Sequence, residues 1–176
     1  DTEGLRYGAI EPPEKFYLTW KEASTVENLL DRALIQLCAK ARFLELIHDF
    51  IVFDAGVKKL CRPNQYFGVR AAQERVKRRE GGIIWHAQGS GKSLTMVWLA
   101  KWIREHAKDP RVLIITDRKE LDEQIEKVFM GVHEDIYRTT SGADLIATLN
   151  VTTPWLVCSL IHKFGGKEET EEGGDI

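Results

Sequence analysis

Gly82-Ile83-Ile84-Trp85-His86-Ala87-Gln88-Gly89-Ser90-Gly91-Lys92-Ser93 joins a short apolar run to a glycine turn and then to a helical pattern. Residues 82–86 predict a strand, and the apolar-periodic stretch from about Lys92 to His106 predicts a helix. The turn between them, Ala87 to Ser93, has the composition of a phosphate cradle. Glycine lets successive backbone N–H groups curl around an anion, and the N-terminus of the following helix adds partial positive charge. Lys92 is placed to reach β- and γ-phosphates, and the Ser93 hydroxyl to coordinate Mg²⁺. The strict pattern has glycine at the first position, where this chain has His86. The plainer alternative is a glycine-rich connector without function, but strand, turn, Lys-Ser and helix are all in register.

Downstream the alternation continues. Asp109-Pro110 breaks the chain, and Arg111-Val112-Leu113-Ile114-Ile115-Thr116 predicts a strand buried on both faces. Asp117 to about Phe129 reads as helix, Ile136 to Thr139 as an edge strand, Ser141 to Asn150 as a helix capped by Ser141, and Trp155 to Ser159 as another buried strand. Such spacing implies right-handed βαβ units and a parallel, doubly wound sheet with flanking helices, an α/β fold.

Upstream, residues 1–22 read as irregular, with Pro12-Pro13 opposing helix and Phe16, Tyr17, Leu18 and Trp20 forming an apolar anchor. Val26, Leu29, Leu30, Ala33, Leu34, Leu37, Cys38 and Ala41 share one helical stripe, with Ser24 or Thr25 as N-cap. A second amphipathic stretch runs from Phe43 to Phe53 and ends at Asp54-Ala55-Gly56. Val57 to Cys61 predicts a short strand. Pro63 opens a helix through Gln73 to about Arg79, closed by Gly81-Gly82. We divide the chain into a mainly helical linker, 1–61, and a nucleotide-binding part, 62–176.

The 176 residues carry 25 Lys+Arg and 27 Asp+Glu, a net charge of −2, with 43% apolar residues. That composition excludes a wholly disordered chain, and no apolar run approaches the ~18 residues that suggest a membrane span. Near-neutral charge means that any DNA contact rests on a local surface. Three separated cysteines without C-x-x-C oppose a disulfide framework or zinc and fit a reduced cytoplasm. No Asn-Lys-x-Asp guanine reader is present. The acidic, Gly-containing end from Gly165 to Ile176 reads as a solvated loop, and the termini suggest a fragment.

Around the phosphate turn stand Arg62-Pro63-Asn64-Gln65-Tyr66-Phe67-Gly68, Thr116-Asp117-Arg118-Lys119-Glu120-Leu121-Asp122-Glu123-Gln124 and Val157-Cys158-Ser159-Leu160-Ile161-His162-Lys163-Phe164. With Trp85-His86 before the turn, these blocks closely resemble the motor subunit of type I restriction–modification enzymes, a superfamily-two DNA translocase fused to a nuclease. The resemblance implies a RecA-like P-loop NTPase lobe, the cofactors ATP and Mg²⁺, and cleavage of unmodified foreign DNA by the complete enzyme. It also implies double-stranded DNA, modification subunits and specificity subunits as partners, with no membrane. Residues 1–61 resemble the linker before the motor.

By the same resemblance Gln65 reads adenine, Ala87 to Ser93 hold the nucleotide, Lys92 is the catalytic cation, and Thr116-Asp117-Arg118 and Ser159 to Lys163 face the DNA backbone. The nuclease carboxylates would precede residue 1. The Asp-Glu-x-His motif and the second lobe with its arginine finger would follow Ile176, so this stretch alone is expected to be inactive. Read from the residues alone, the alternative for Gln65 is an ordinary solvated helix residue, but Tyr66-Phe67 beside it and its position shortly before the phosphate turn favour the adenine role. Arg118 and Lys119 open a helix after a sheet strand, where ligand loops collect, and Lys163 follows another. Phosphate contact and a solvated surface both suit them. Arg75, Lys77, Arg78 and Arg79 read first as a solvated face, and Trp98 and Trp102 as packing residues. Another superfamily-two helicase and a non-catalytic nucleotide-binding module are the competing readings.

Overall fold

A computed structural model describes residues 4–10 and 12–165, so the acidic end from 166 lies outside the described residues. The chain divides into two compact units, Asp1–Trp102 and Ile103–Ile176.

In the first unit the N-terminal stretch is not wholly irregular. β1 (Arg6–Tyr7) and β2 (Leu18–Thr19) pair antiparallel and deliver Trp20 to the interior. Helix α1 spans Leu29–Cys38, and its cap is Asn28, whose Oδ1 accepts from the N–H groups of Leu30 (2.9 Å) and Asp31 (3.0 Å). Ser24 is spent on a local turn, accepting from Val26 N–H, so the expected Ser24 or Thr25 cap is corrected by four or three residues. The expected Val26–Ala41 helix also breaks at the extended Ala39, after which α2 (Lys40–Asp49) begins. The second amphipathic stretch ends as helix at Asp49. Ile51–Asp54 is a strand, β3, which pairs antiparallel with β4 (Val57–Leu60) through the Ala55-Gly56 turn. Pairing with Val57–Leu60, unavailable to a helix, decides that segment.

Helix α3 (Pro63–Lys77) starts at Pro63 as expected, since proline at the first helical position loses no needed donor. Its Tyr66 and Val69 join Trp20, Phe50, Val52, Val97 and Trp98 in the core. The aromatic rings interlock, Phe50 lying 4.8 Å from Tyr66 and 6.1 Å from Trp98 between centroids. The Arg42 guanidinium lies beside the Trp20 and Tyr66 rings and pairs with Glu22, which holds the Glu22 carboxyl below its usual value. Of the basic run on α3, Lys77 pairs with Glu74 while Arg75 and Arg78 pair with Glu80, a solvated face laced by ion pairs. Helix α4 spans Lys92–His106. Trp98 on it is core.

The second unit holds a parallel sheet of three strands, β5 (Val112–Thr116), β6 (Tyr137–Arg138) and β7 (Leu156–Leu160), in the order β5-β7-β6. Val112 to Thr116 stand opposite Leu156 to Leu160 in register. Among the described residues the strand buried throughout is β7, which alone of the three has a neighbour on each side. β5 lies at an edge with Ile115 half exposed, which corrects the expectation that it is covered on both faces. β6 is an edge strand, as its sequence implied. Helix α5 (Lys119–Gly131) links β5 to β6, and α6 (Gly142–Leu149) links β6 to β7, capped by Ser141 accepting from Asp144 N–H. No helix among the described residues is long and apolar enough to cross a membrane.

Candidate functional site

The run from Gly82 to His86 is not a strand: no neighbouring strand pairs with it among the described residues, and Ile83 and Trp85 are 90% and 92% exposed. Apolar content alone does not make a strand, because the ladder needs a second chain segment. The turn that follows is nonetheless shaped as its residues require. Gly89 and Gly91 have φ of +75° and +83°, a region that side chains disfavour. Around Gly89 there is open space, whereas a Cβ on Gly91 would overlap the Gln65 amide. α4 begins at once, with Thr95 N–H and Oγ1 both donating to Gly91 O.

Lys92 is exposed, and its ammonium folds back on the loop, donating to Ala87 O at 3.0 Å and His86 O at 3.3 Å. A cation resting on carbonyls within its own loop is free to exchange them for stronger anionic acceptors. Ser93 is half-buried in the first turn of α4. Two shielded polar atoms in the same loop, Ser90 Oγ and His86 Nδ1, have no hydrogen-bond partner among the described residues. Open space at Gly89, a displaceable ammonium and unsatisfied loop atoms fit a phosphate group with its metal ion.

Gln65 is 2% exposed. Its Oε1 accepts from Arg62 N–H at 2.8 Å and its Nε2 donates to Gly91 O at 2.8 Å. An amide has two donors and two acceptor lone pairs, so one N–H and one lone pair remain. Arg62, which sequence reading did not single out, donates from Nη1 to Gly89 O at 3.1 Å. The start of α3 is thus tied to the glycine turn twice. Only the position of Arg62 before the helix-opening Pro63 hinted at this.

The basic candidates belong to the second unit. Arg118 is the N-cap residue of α5 and lies 3.7 Å from the Asp117 carboxylate; both side chains are exposed, as is Lys119. Lys163 differs, since its ammonium is held on the Thr139 carbonyl. The second unit also holds a cluster that sequence reading overlooked. Asp122, 0% exposed, accepts from Arg138 Nε and from Cys158 Sγ, with Thr116 Oγ1 at 3.5 Å. Burial, and then the Asp122 contact, push the Cys158 thiol up to about 12.

Residues 64–175 match the family model described as SWI2/SNF2 ATPase. The chain is 34% identical over 154 residues to the putative type I restriction enzyme MjaIXP endonuclease subunit of Methanocaldococcus jannaschii, a match covering 81% of this chain and 15% of that protein. It is 33% identical over 164 residues to the type I restriction enzyme HindI endonuclease subunit of Haemophilus influenzae, covering 80% of this chain and 14% of the relative. A Staphylococcus saprophyticus type I endonuclease subunit is 26% identical across 89% of the chain. The chain therefore spans 15% and 14% of the length of the first two relatives. The resemblance read from the motifs holds, and the parallel sheet with flanking helices agrees with a RecA-like P-loop fold.

Proposed function

The chain belongs to the SWI2/SNF2 ATPase family, and from that premise we propose that it is the ATP-binding part of the DNA-translocating motor subunit of a type I restriction endonuclease. The observation that carries the reading is the loop itself: two glycines at positive φ, a lysine ammonium resting on the loop's own carbonyls, and a helix starting at Lys92. In this reading residues 1–61 are the linker and 62–176 the front of the first motor lobe. The complete enzyme works in the cytoplasm with modification and specificity subunits, translocating and cutting double-stranded DNA.

Ala87 to Ser93 hold the triphosphate, with Lys92 on its β- and γ-oxygens and the Ser93 hydroxyl on Mg²⁺. When bound, the metal neutralises charge developing on the phosphates. The remaining N–H and lone pair of Gln65 suit the acceptor and donor of adenine's edge. Arg118, Lys119 and Lys163 are the DNA-backbone candidates, and Lys163 must first leave Thr139 O.

The test is equilibrium binding of ATP to the complete subunit, with Mg²⁺ and after its removal by chelation. Binding should be Mg²⁺-dependent and prefer ATP to GTP, and a subunit that binds neither overturns the proposal. Gln65→Ala should weaken ATP by roughly tenfold while weakening tripolyphosphate less, as expected from losing ~1.4 kcal/mol of hydrogen bonding to a base. Equal losses for both ligands would leave Gln65 as loop support alone.

For DNA, Arg118→Ala in the complete enzyme should reduce DNA-stimulated ATP turnover and lower the salt slope of DNA affinity by about one unit, because one phosphate contact releases about one counterion. ATP binding should stay close to that of the parent. An unchanged salt slope would return Arg118 to the solvated surface.

A further inference from the structure

His86 stands where the strict phosphate-loop pattern has glycine, and its surroundings assign it work. The Cε1–Nε2 edge of the imidazole lies so close to Gly68 of α3 that a Cβ at residue 68 would sit 3.2 and 3.3 Å from those atoms. Its own carbonyl accepts from the Lys92 ammonium. Its Nδ1 is shielded from solvent with no partner among the described residues. One residue therefore touches the helix carrying Gln65 through its ring and the phosphate-seeking lysine through its backbone.

Resting on the nucleotide-site reading above, we infer that His86 is a positioning residue that sets the phosphate loop against α3. Arg62 and Gln65 tie α3 to the loop at Gly89 and Gly91. His86 supplies a third point, at the loop's beginning, by packing. A glycine at position 86 has no side chain with which to make that contact, and a larger residue at 68 takes the space the ring needs. A ligand that engages the adenine side and the phosphate side together depends on this spacing. One that engages only the phosphate side does not.

The experiment is a double-mutant cycle on the complete subunit, reading ATP and tripolyphosphate affinity together with thermal stability. His86→Ala should weaken ATP about tenfold and tripolyphosphate less than threefold. Gly68→Ala is the sharper probe, because alanine inside a helix normally stabilises it, so a purely structural role leaves affinity intact or improved. We expect Gly68→Ala to keep or raise the melting temperature while weakening ATP several-fold, and to lose that effect on affinity in the His86→Ala background, where the crowded ring is gone. Equal penalties of Gly68→Ala in both backgrounds, or equal losses of both ligands in His86→Ala, would overturn the inference. Lys92→Ala is run alongside. If it leaves both ligands bound, the nucleotide site itself is misassigned, whereas loss of both with unaffected His86 and Gly68 variants sinks only the positioning role.

Discussion

Lys92→Ala is expected to abolish ATP-driven translocation by the complete subunit and to weaken Mg²⁺-dependent ATP binding at least a hundredfold. The side chain has no packing role to lose: it is exposed, and its contacts are the carbonyls of His86 and Ala87. Its removal should leave the melting temperature within a degree or two of the parent, since surface changes away from buried groups are usually within ~0.5 kcal/mol. Against a triphosphate the same ammonium makes charge-assisted hydrogen bonds to anionic oxygens, roughly twice as strong as neutral ones. In phosphoryl transfer it also meets charge that grows in the transition state. Large loss of function with intact stability is the signature of that role. A Lys92→Ala subunit that still translocates at the parental rate would remove the loop from the mechanism. Arginine should not rescue fully, because its planar fork does not match a point-charge contact within a tight loop.

The second large effect is one of stability. Asp122→Ala should lower the unfolding free energy by about 3 kcal/mol, or roughly 6–12 °C in melting temperature for a chain of this size. Asp122 is wholly buried and joins α5 to Arg138 on β6, to Cys158 on β7 and to Thr116 at the end of β5, so one carboxylate ties the helix to all three strands. Truncation leaves the Arg138 guanidinium without its buried partner and opens a hole beside Cys158. Arg138 is partly exposed and keeps Glu123 and Glu126 at 3.6 Å, which places the loss toward the lower end for broken buried pairs. Asp122→Asn, of the same shape but uncharged, should cost less. Differential scanning calorimetry decides it. An Asp122→Ala protein melting with the parent would mean that the cluster contributes nothing to the fold.

The candidate loop was legible in the sequence because its geometry is local. Positive φ at Gly89 and Gly91, the Lys-Ser pair and the helical period after them all lie within one turn and one helix. Proline at the start of α3 and serine at the cap of α6 were legible for the same reason, each acting on backbone groups three or fewer residues away. Parallel pairing of β5, β6 and β7 also followed from the spacing of strands and helices, since a short connection cannot join parallel neighbours.

What the sequence left open were several matters that depend on a partner distant along the chain. The apolar run before the loop has strand composition, yet Ile83 and Trp85 stand exposed, because a strand exists only where another pairs with it. The Ile51–Asp54 segment continues an amphipathic pattern but turns to strand, because Val57–Leu60 is there to meet it. β7 is buried as expected, but the half-exposure of Ile115 on β5 depends on sheet order, to which β-branched content is indifferent. Asp122 stood in the sequence only as part of a quoted block, and its role appears when Arg138 and Cys158, 16 and 36 residues away, converge on it. By itself the sequence determined a glycine turn with the composition of a phosphate cradle, on an α/β scaffold. Tertiary structure alone decided which residues meet that loop, with Arg62 and Gln65 brought from 27 and 26 residues away, because hydrogen bonds and packing act over a few ångströms in space whatever the separation in sequence.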